Sequence, residues 1–227
     1  MTNLVSASLR RIQNGTRILA FVAVCRIVSA IPSLLFKPSV QRLLLRLWGN
    51  PAFRLSHESL SATLSLAKTG PPVRSGFLEL GTGVSTPLLA VLARESGSSL
   101  IAVDNDPDWI KTISRRLRWA GLANKVEVVH APIKQFPDFD WYDPAFIEDQ
   151  RFSLVLCDGP IGSTRGGRYG AMEFLYPAMV PGASVLVDDY HRPEEARMVK
   201  RWTEEHGLRL VETGPAEKYA VLEKTQA

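Results

Sequence analysis

Glu79-Leu80-Gly81-Thr82-Gly83-Val84-Ser85-Thr86-Pro87 is the stretch of the sequence that decides the fold. It completes a short apolar run, residues 77–80, of the kind that forms a buried strand. Glycines at 81 and 83 allow a tight backbone turn and a close approach to a ligand. Ser85 or Thr86 can then cap a helix that Pro87 opens. The stretch therefore predicts a strand, a ligand-binding turn and a helix.

Four more short apolar runs follow, each separated from the next by a helical segment. They cover residues 99–103, 126–129, 152–157 and 184–187. Near-continuous apolar strands that alternate with helices are typical of a parallel sheet covered on both faces. The tail differs, because Gly214-Pro215 joins the runs 208–211 and 219–222 and predicts an antiparallel edge hairpin. We expect a Rossmann-like, doubly wound α/β fold with a mainly parallel seven-stranded sheet.

Asp104 ends the second of these strands. A carboxylate there can accept hydrogen bonds from both hydroxyls of a ribose, each worth on the order of 1.5–3 kcal/mol. The alternative is a helix-initiating Asp, although Asp106 already stands before Pro107 for that role. A dinucleotide fingerprint would need glycine at position 86, where Thr86 stands, so a nicotinamide cofactor is disfavoured.

Charge is divided unevenly along the 227 residues. Eight of the 27 basic side chains and none of the 23 acidic ones lie in residues 1–57. This split predicts a basic, apolar N-terminal helical arm over residues 1–55 and a globular body over residues 56–227. Two cysteines in apolar runs, Cys25 and Cys157, favour a reducing, cytoplasmic location.

The arm contains an apolar run, residues 18–36, and a second apolar helix, residues 40–48. Arg26 and Pro32 interrupt the first run and disfavour a membrane-spanning helix. Three interpretations remain: a helix that packs on the core, an amphipathic helix at the inner membrane face, or a signal peptide with the small residues Val28-Ser29-Ala30. Because the arm is basic, a membrane surface bound through residues 1–57 is one predicted partner.

Several motifs together resemble those of class I S-adenosylmethionine-dependent methyltransferases. They are the glycine turn, Asp104, Leu156-Cys157-Asp158-Gly159-Pro160, and Pro181-Gly182-Ala183-Ser184-Val185-Leu186-Val187-Asp188-Asp189. More narrowly, His130-Ala131-Pro132-Ile133, Trp141-Tyr142-Asp143, Gly167-Arg168-Tyr169 and Asp188-Asp189-Tyr190-His191-Arg192-Pro193 look like the bacterial group often called methyltransferase-24-like. The resemblance covers roughly residues 56–223.

The resemblance implies S-adenosylmethionine as the cofactor. It places Glu79, Gly81 and Gly83 at the methionine end and Asp104 on the ribose. Residues 130–133 would lie beside the adenine. The other predicted cofactor contacts are Thr82, Ser85, Asn105, His130, Ala131, Pro132 and Asp158. The sequence departs from the common pattern in having Ser85 where a third glycine often stands and in lacking an acid before Ala131.

Asp158, Asp188 and Asp189 end two strands that we expect to be neighbours, about 4.8 Å apart. Their carboxylates can converge on one hard cation. The pattern resembles the Mg²⁺ site of catechol-type O-methyltransferases, in which the ion activates a substrate hydroxyl. The alternative is that Asp158 orients cofactor or substrate without a metal, while Asp189 caps the helix that opens at Pro193. We take Asp158 and Asp189 as candidate catalytic residues.

Three further features surround this predicted site. His191 is a candidate base, because an ordinary imidazole titrates near pH ~6.5, or it only covers the loop. The glycine-rich loop 162–168 is either a mobile lid, whose Arg165 and Arg168 bind an acidic group on the substrate, or a solvated loop. Tyr190 is a further predicted substrate contact. Trp141 and Tyr142 either wall the acceptor pocket or pack on the outer face.

These residues predict methyl transfer to an oxygen, and less favourably a nitrogen, of a small molecule, glycan or lipid-linked metabolite. Asp158-Gly159-Pro160-Ile161 lacks the Asn/Asp-Pro-Pro-Tyr signature of base and amide N-methyltransferases, which argues against DNA adenine or glutamine as targets. Nucleic acid is a less favoured partner, although the basic arm leaves RNA possible. Two other classes remain as alternatives. One is a non-catalytic, membrane-associated protein that binds S-adenosylmethionine, and the other is a hydroxylase-like enzyme on the same fold.

Overall fold

A computed structural model of the chain describes residues 2–49, 54–69 and 75–225, with side chains from residue 14 onward. The α-helices of these residues are α1 (Thr2–Ala30), α2 (Pro38–Trp48), α3 (His57–Thr69), α4 (Thr86–Ser96), α5 (Pro107–Ala120), α6 (Gly170–Leu175) and α7 (Pro193–Glu205). The strands are β1 (Gly76–Leu80), β2 (Leu100–Asp104), β3 (Glu127–His130), β4 (Ile133–Gln135), β5 (Asp140–Tyr142), β6 (Phe152–Cys157), β7 (Met179–Asp188), β8 (Leu208–Thr213) and β9 (Tyr219–Lys224).

Seven strands of the described residues form one sheet in the order β3-β2-β1-β6-β7-β9-β8. The first five strands in this order run parallel to one another, while β9 runs antiparallel to both β7 and β8. This confirms the predicted doubly wound fold with an antiparallel edge hairpin. The chain order reverses between β1 and β6, and ligands of such sheets bind at the carboxyl ends of the strands beside that reversal.

Two details of the sheet differ from the expectation. Strand β7 begins at Met179, five residues before the predicted run. A small second sheet, which no pattern in the sequence indicates, pairs β4 with β5. Each of these strands has only three residues. Lys134 and Gln135 of β4 are exposed, and β5 contributes only two buried residues, so neither strand forms an apolar run of strand length.

Of the two predicted N-terminal helix caps, the cap of α5 forms and the cap of α4 does not. The Asp106 carboxylate accepts hydrogen bonds from the backbone N–H groups of Asp108 and Trp109, which confirms it as the cap of α5. Neither Ser85 nor Thr86 caps α4. The Ser85 hydroxyl donates to Glu79 instead, and Thr86 Oγ1 accepts from the Gly83 N–H at 2.9 Å. A buried carboxylate therefore takes the hydroxyl that was expected to cap the helix.

The arm packs on the body through one face of α1 and α2. Phe21, Cys25 and Val28 are buried in the same apolar core as residues of α4 and α5. The Phe21 ring meets the Trp48 ring of α2 edge-on, with centroids 5.1 Å apart. Arg94 of α4 donates a hydrogen bond to the Ser29 hydroxyl at 2.8 Å. The structure thus shows the core-packing interpretation for this face of α1.

The length and apolar character needed to cross a bilayer are not combined in any helix of the described residues.

Phe21→Ala tests whether the arm is part of the core. Truncating a buried Phe leaves a cavity and typically costs about 3–5 kcal/mol, so we expect the free energy of unfolding to fall by that order. Leu19→Ala is the matched control, because Leu19 on the same helix is 63% exposed and surface changes usually stay within about 0.5 kcal/mol. Equal effects of the two variants in urea denaturation would contradict the packing.

Candidate active site

The turn after β1 lies against the end of β6. Gly81 has a φ of 88°, in the left-handed region. A Cβ at Gly81 would lie 3.1 Å from the carbonyl carbon of Asp158 and 3.1 Å from the backbone nitrogen of Gly159. Both its conformation and its surroundings therefore require glycine. This close approach places Asp158 directly beside the predicted cofactor turn.

Asp104 lies at the same edge of the sheet as this turn. Strands β1 and β2 pair in parallel, with Leu80 opposite Val103. The Asp104 carboxylate accepts hydrogen bonds from the N–H and the hydroxyl of Thr82, both at 3.0 Å. Its second oxygen accepts from the Asp106 N–H at 3.1 Å. The predicted meeting of the glycine turn and the acid that ends β2 is therefore what the structure contains.

Gly83 differs from Gly81 in why it is glycine. Its φ is not among the positive values of the described glycines, and a methyl group added here would find its nearest neighbour, Ser85 Oγ, at 4.0 Å. The protein itself therefore leaves room for a side chain at this position. A requirement for glycine here would come from a ligand that lies against the turn.

Glu79 is a fully buried acid beneath the turn. One of its oxygens accepts the Ser85 hydroxyl, and the other, Oε2, has no hydrogen-bond partner in the described part of the chain. Burial raises the pKa of Glu79 to about 7, and hydrogen bonds from Ser85 and Thr86 oppose the rise. An unsatisfied buried acceptor next to a ligand turn suits a cofactor with hydrogen-bond donors.

The segment predicted to lie beside the adenine also comes to this edge. His130 stands opposite Asp104 in the β2–β3 register, and the Ala131 N–H donates to the Asp104 carbonyl at 2.9 Å. A ring nitrogen of His130, Nε2, lies 3.1 Å from the carbonyl oxygen of Asn105. Ala131 is buried and Pro132 is exposed. The position fits the predicted adenine contacts, which remain predictions.

The three acids at the ends of β6 and β7 converge as expected. One carboxylate oxygen from each of Asp158, Asp188 and Asp189 lies within 4.8 Å of the other two. Asp189 has a φ of 62°, an uncommon conformation for a residue with a side chain. It does not cap α7, because the cap position is Arg192 and no side-chain bond forms there. We call these three residues the acid cluster.

Arg168 is buried inside the acid cluster. Only 4% of its side chain is exposed. Its guanidinium donates to Asp158 Oδ1 at 3.1 Å and lies 3.8 Å from Asp189 Oδ2. It also donates to the Asp188 carbonyl at 2.9 Å and to the Asp158 carbonyl at 2.9 Å. The Arg168 side chain is therefore not solvated, whereas most of the loop 162–167 is exposed and its role as a mobile lid stays a prediction.

The other two acids have partners of their own. Asp188 Oδ1 accepts the Ser59 hydroxyl of α3 at 2.5 Å, and both side chains are buried. Asp189 Oδ2 pairs with the Arg192 guanidinium at 2.9 Å. Each of the three carboxylates thus has a donor: a guanidinium for Asp158 and Asp189, and a hydroxyl for Asp188.

The acid cluster offers three carboxylate oxygens that could hold a divalent ion, and the Mg²⁺ site stays a prediction. Hard carboxylate oxygens suit the ion, but the Arg168 guanidinium already lies between Asp158 and Asp189. The three carboxylates would attract a divalent ion, while the guanidinium would repel it. The resident cation of this cluster is an arginine.

Burial has the largest effect on the ionisation of these acids. It raises the pKa of Asp158, the Arg168 guanidinium lowers it again in part, and the neighbouring Asp188 and Asp189 add to the rise. Burial likewise raises the pKa of Asp188, while the hydrogen bond from Ser59 lowers it. Asp158 is therefore a stronger base than an ordinary carboxylate.

Trp141 and Tyr142 turn inward rather than lying on the outer face. Trp141 stacks on Phe174 with ring centroids 5.3 Å apart, inside the second apolar core. Tyr142 is also buried, and its hydroxyl lies where a Cβ at Gly159 would clash with it. The residue pattern alone did not distinguish the two positions for Tyr142, and the structure shows its hydroxyl against the backbone of Gly159. Burial raises the pKa of Tyr142, so it stays protonated.

The remaining predicted substrate residues lie outside the acid cluster's ion pairs and hydrogen bonds. Arg165 ties down the β4–β5 turn: it pairs with Asp140 at 2.8 Å and donates to the Pro137 carbonyl at 2.9 Å. His191 is exposed, and Tyr190 is half-buried against the second core. Their contacts with a substrate remain predictions.

S-adenosylmethionine fits the residues around the turn. Gly83 leaves space where a ligand would approach. Glu79 offers an unsatisfied oxygen, and Asp104 presents a carboxylate at the edge of the sheet. Gly83 would let the cofactor lie against the turn, Glu79 would bind its methionine end, and Asp104 would bind its ribose.

Comparison with known proteins agrees with this geometry. The methyltransferase-domain family that the sequence resembles, the methyltransferase-24 group, matches residues 78–190. An O-methyltransferase from Bacillus cereus in complex with S-adenosylhomocysteine has the same fold, with a TM-score of 0.57, 17% identity and 91% of each chain covered. No curated protein matches the chain in sequence.

Two further solved structures share the fold. The O-methyltransferase TomG from Streptomyces achromogenes, in complex with S-adenosylmethionine, gives a TM-score of 0.55 at 19% identity, covering 83% of this chain and 89% of its own. A methyltransferase from Podospora anserina bound to S-adenosylhomocysteine gives 0.59 at 13% identity, covering 79% and 83%.

The fold and the glycine turn define the class I methyltransferases. The chain belongs to the methyltransferase-24 family within that class and is an S-adenosylmethionine-dependent methyltransferase.

Gly81→Ala and Gly83→Ala separate the two roles of glycine in the turn. Gly81→Ala forces a Cβ against the β6 backbone and into the left-handed region, which costs roughly 1–2 kcal/mol from conformation alone. We expect a clear loss of stability in thermal unfolding. Gly83→Ala should unfold like the parent yet bind S-adenosylmethionine at least about tenfold more weakly. Normal binding by Gly83→Ala would show that the ligand does not lie against Gly83.

Glu79→Gln tests the buried acid through pH. The unfolded chain ionises this carboxyl near pH ~4.3, and the folded chain only near 7. Ionisation therefore opposes folding, with no penalty below pH ~4 and the full penalty above pH ~7, on the order of 3 kcal/mol. Relative to the parent, Glu79→Gln should gain stability as the pH rises from about 5 to about 8. The exposed control Glu95→Gln should not, and a pH-independent difference for Glu79→Gln would contradict the account.

Proposed function

We propose that the enzyme methylates a hydroxyl oxygen of its acceptor and that Asp158 takes the proton. The observation that carries the proposal is the position of Asp158, which lies beside Gly81 on one side and inside the acid cluster on the other. A carboxylate with a raised pKa at the boundary of the cofactor turn suits a general base near neutral pH.

The chain's part in the reaction is to position and deprotonate. When bound, S-adenosylmethionine supplies an electrophilic methyl group on its sulfonium. Residues of the acid cluster would hold the acceptor hydroxyl in line with that methyl group. Asp158 would accept the hydroxyl proton as the oxygen–carbon bond forms and the carbon–sulfur bond breaks, which leaves S-adenosylhomocysteine. Holding the two partners in line is worth several kcal/mol in such a displacement.

Arg168 takes the place of a metal ion in this scheme. Its guanidinium carries a permanent positive charge and is fixed by the Asp158 and Asp188 carbonyls. A fixed cation beside the acceptor stabilises the negative charge that develops on the oxygen. The proposed reaction is therefore independent of divalent metal.

The acceptor belongs to one of three classes: a small molecule, a glycan or a lipid-linked metabolite. The description of two structural neighbours as O-methyltransferases, one of them involved in tomaymycin synthesis, supports oxygen as the methylated atom. The acidic surroundings favour a neutral or cationic acceptor over one with a negative charge beside the reacting hydroxyl.

Asp104→Asn tests the cofactor site. Loss of a charge-assisted hydrogen bond worth on the order of 1.5–3 kcal/mol should raise the Kd for S-adenosylmethionine about 10- to 100-fold in calorimetric titration. Asp106→Asn is the matched control, because Asn still caps α5, the hydrogen bonds of the Asp106 side chain are cap contacts, and the backbone N–H that donates to Asp104 is unchanged. Normal binding by Asp104→Asn would show that the ribose lies elsewhere.

Asp158→Asn and a chelator test the chemistry. With radiolabelled S-adenosylmethionine and fractionated cell extract, we expect the parent to label an acceptor equally with and without EDTA. Asp158→Asn should keep cofactor binding within a few-fold and lose transfer by at least about 100-fold, the usual worth of general-base catalysis. Asp138→Asn, at an exposed position, should behave like the parent.

Other outcomes of that experiment identify the alternatives. Transfer that EDTA abolishes and Mg²⁺ restores would overturn the arginine cation. Cofactor binding without transfer in any fraction would indicate a non-catalytic binding protein. Metal-dependent turnover that leaves S-adenosylmethionine unconsumed would indicate hydroxylase-like chemistry.

A further inference from the structure

The outer face of α1 is apolar although it is exposed. Leu19, Ala23 and Ile27 follow one another at four-residue spacing, so they lie on one side of the helix. Leu19 is 63% exposed, Ile27 is 53% exposed and Ile31, just after the helix, is 51% exposed. The opposite side of α1 carries the buried residues that pack on the core. A surface helix that is apolar on both sides has an unpartnered face.

An exposed tryptophan borders this face. Trp119, near the end of α5, is 44% exposed. Its carbonyl oxygen accepts a hydrogen bond from Arg26 of α1 at 2.8 Å, which fixes the two helices side by side. The Arg115 guanidinium lies 5.5 Å from the Trp119 ring centroid. We call Leu19, Ala23, Ile27, Ile31 and Trp119 together the arm face.

Two basic side chains border the arm face, because Arg26 donates to the Trp119 carbonyl and Arg115 lies over the Trp119 ring. The first acidic residue of the chain is Glu58. Among the described side chains, no ion pair involves a basic residue between positions 14 and 57. These basic residues are Arg17, Arg26, Lys37, Arg42, Arg46 and Arg54. Arg17 donates to the Arg46 carbonyl at 2.7 Å, which joins α2 to α1. The arm therefore carries uncompensated positive charge, and Arg26 and Arg115 place part of the positive charge beside the arm face.

This combination selects among partners by its chemistry. A second copy of the chain would bring two sets of uncompensated positive charges together, which is unfavourable. A nucleic acid would satisfy the charges but would gain little from exposed Leu and Ile side chains. A bilayer with anionic headgroups satisfies both, because aliphatic side chains and tryptophan enter the interface while Lys and Arg meet the headgroups.

We propose that the arm face binds the surface of an anionic membrane, with α1 lying in the plane of the interface. This would hold the catalytic body at the bilayer without a spanning helix. The binding does not depend on methyl transfer and can be measured separately from it.

Vesicle co-sedimentation of the full-length protein tests the proposal. The probes are vesicles of phosphatidylcholine alone and of phosphatidylcholine with about a quarter phosphatidylglycerol. We expect binding to the anionic vesicles to be at least about tenfold stronger and to weaken as the salt concentration rises. Leu19→Ser/Ile27→Ser should reduce that binding at least about tenfold, because it removes two side chains that enter the bilayer.

Leu210→Ser/Val211→Ser is the matched control. These two residues are also exposed aliphatic side chains, 39% and 40%, but they lie on β8 at the far edge of the sheet. The control should bind anionic vesicles like the parent. Equal binding to both vesicle types, or normal binding by Leu19→Ser/Ile27→Ser, would overturn the proposal. Absence of vesicle binding would also overturn it. In that case, a dimer that Leu19→Ser/Ile27→Ser dissociates would identify a second copy as the partner, and salt-dependent binding to single-stranded RNA would identify a nucleic acid.

Discussion

Close contact between two backbone turns, at Gly81 after β1 and at Asp158-Gly159 after β6, is the constraint on which the site depends. The space between them is too small for a Cβ. Because the turns touch, a cofactor held by the first turn necessarily lies next to the acids that follow the second. Asp104 supports the same turn from the other side by accepting both hydrogen bonds of Thr82. Cofactor turn and acid cluster are thus one structural unit.

Charge balance inside this unit explains why its acids can be so close. Three carboxylates within 4.8 Å of one another repel, and the buried Arg168 offsets that repulsion from the middle. Removing one member of a buried ion pair is strongly destabilising, so such groups fix a unique arrangement more than they add stability. Ser59 extends the network to α3, which links the helical N-terminal part of the chain to the carboxyl end of β7.

Local motifs predicted much of this arrangement, and tertiary contacts decided the rest. The glycine turn, Asp104 and the three acids could be placed because each follows a recognisable strand, and ends of parallel strands meet at one edge. Arg168 and Tyr142 could not be placed, since each is buried by segments distant in sequence. Ser85 has the residue type and position of a helix cap, and nothing in the sequence indicates that the Glu79 carboxylate, six residues earlier, accepts its hydroxyl instead.

The central claim is that the Gly81 turn and Asp104 together hold the adenosyl part of the cofactor. A crystal structure of the protein with S-adenosylhomocysteine tests it most directly. The account predicts both ribose hydroxyls within hydrogen-bond distance of the Asp104 carboxylate, about 2.5–3.0 Å, and the amino-acid end of the ligand against Gly83. A ligand whose ribose lies away from Asp104, or whose chain avoids the turn, would contradict it.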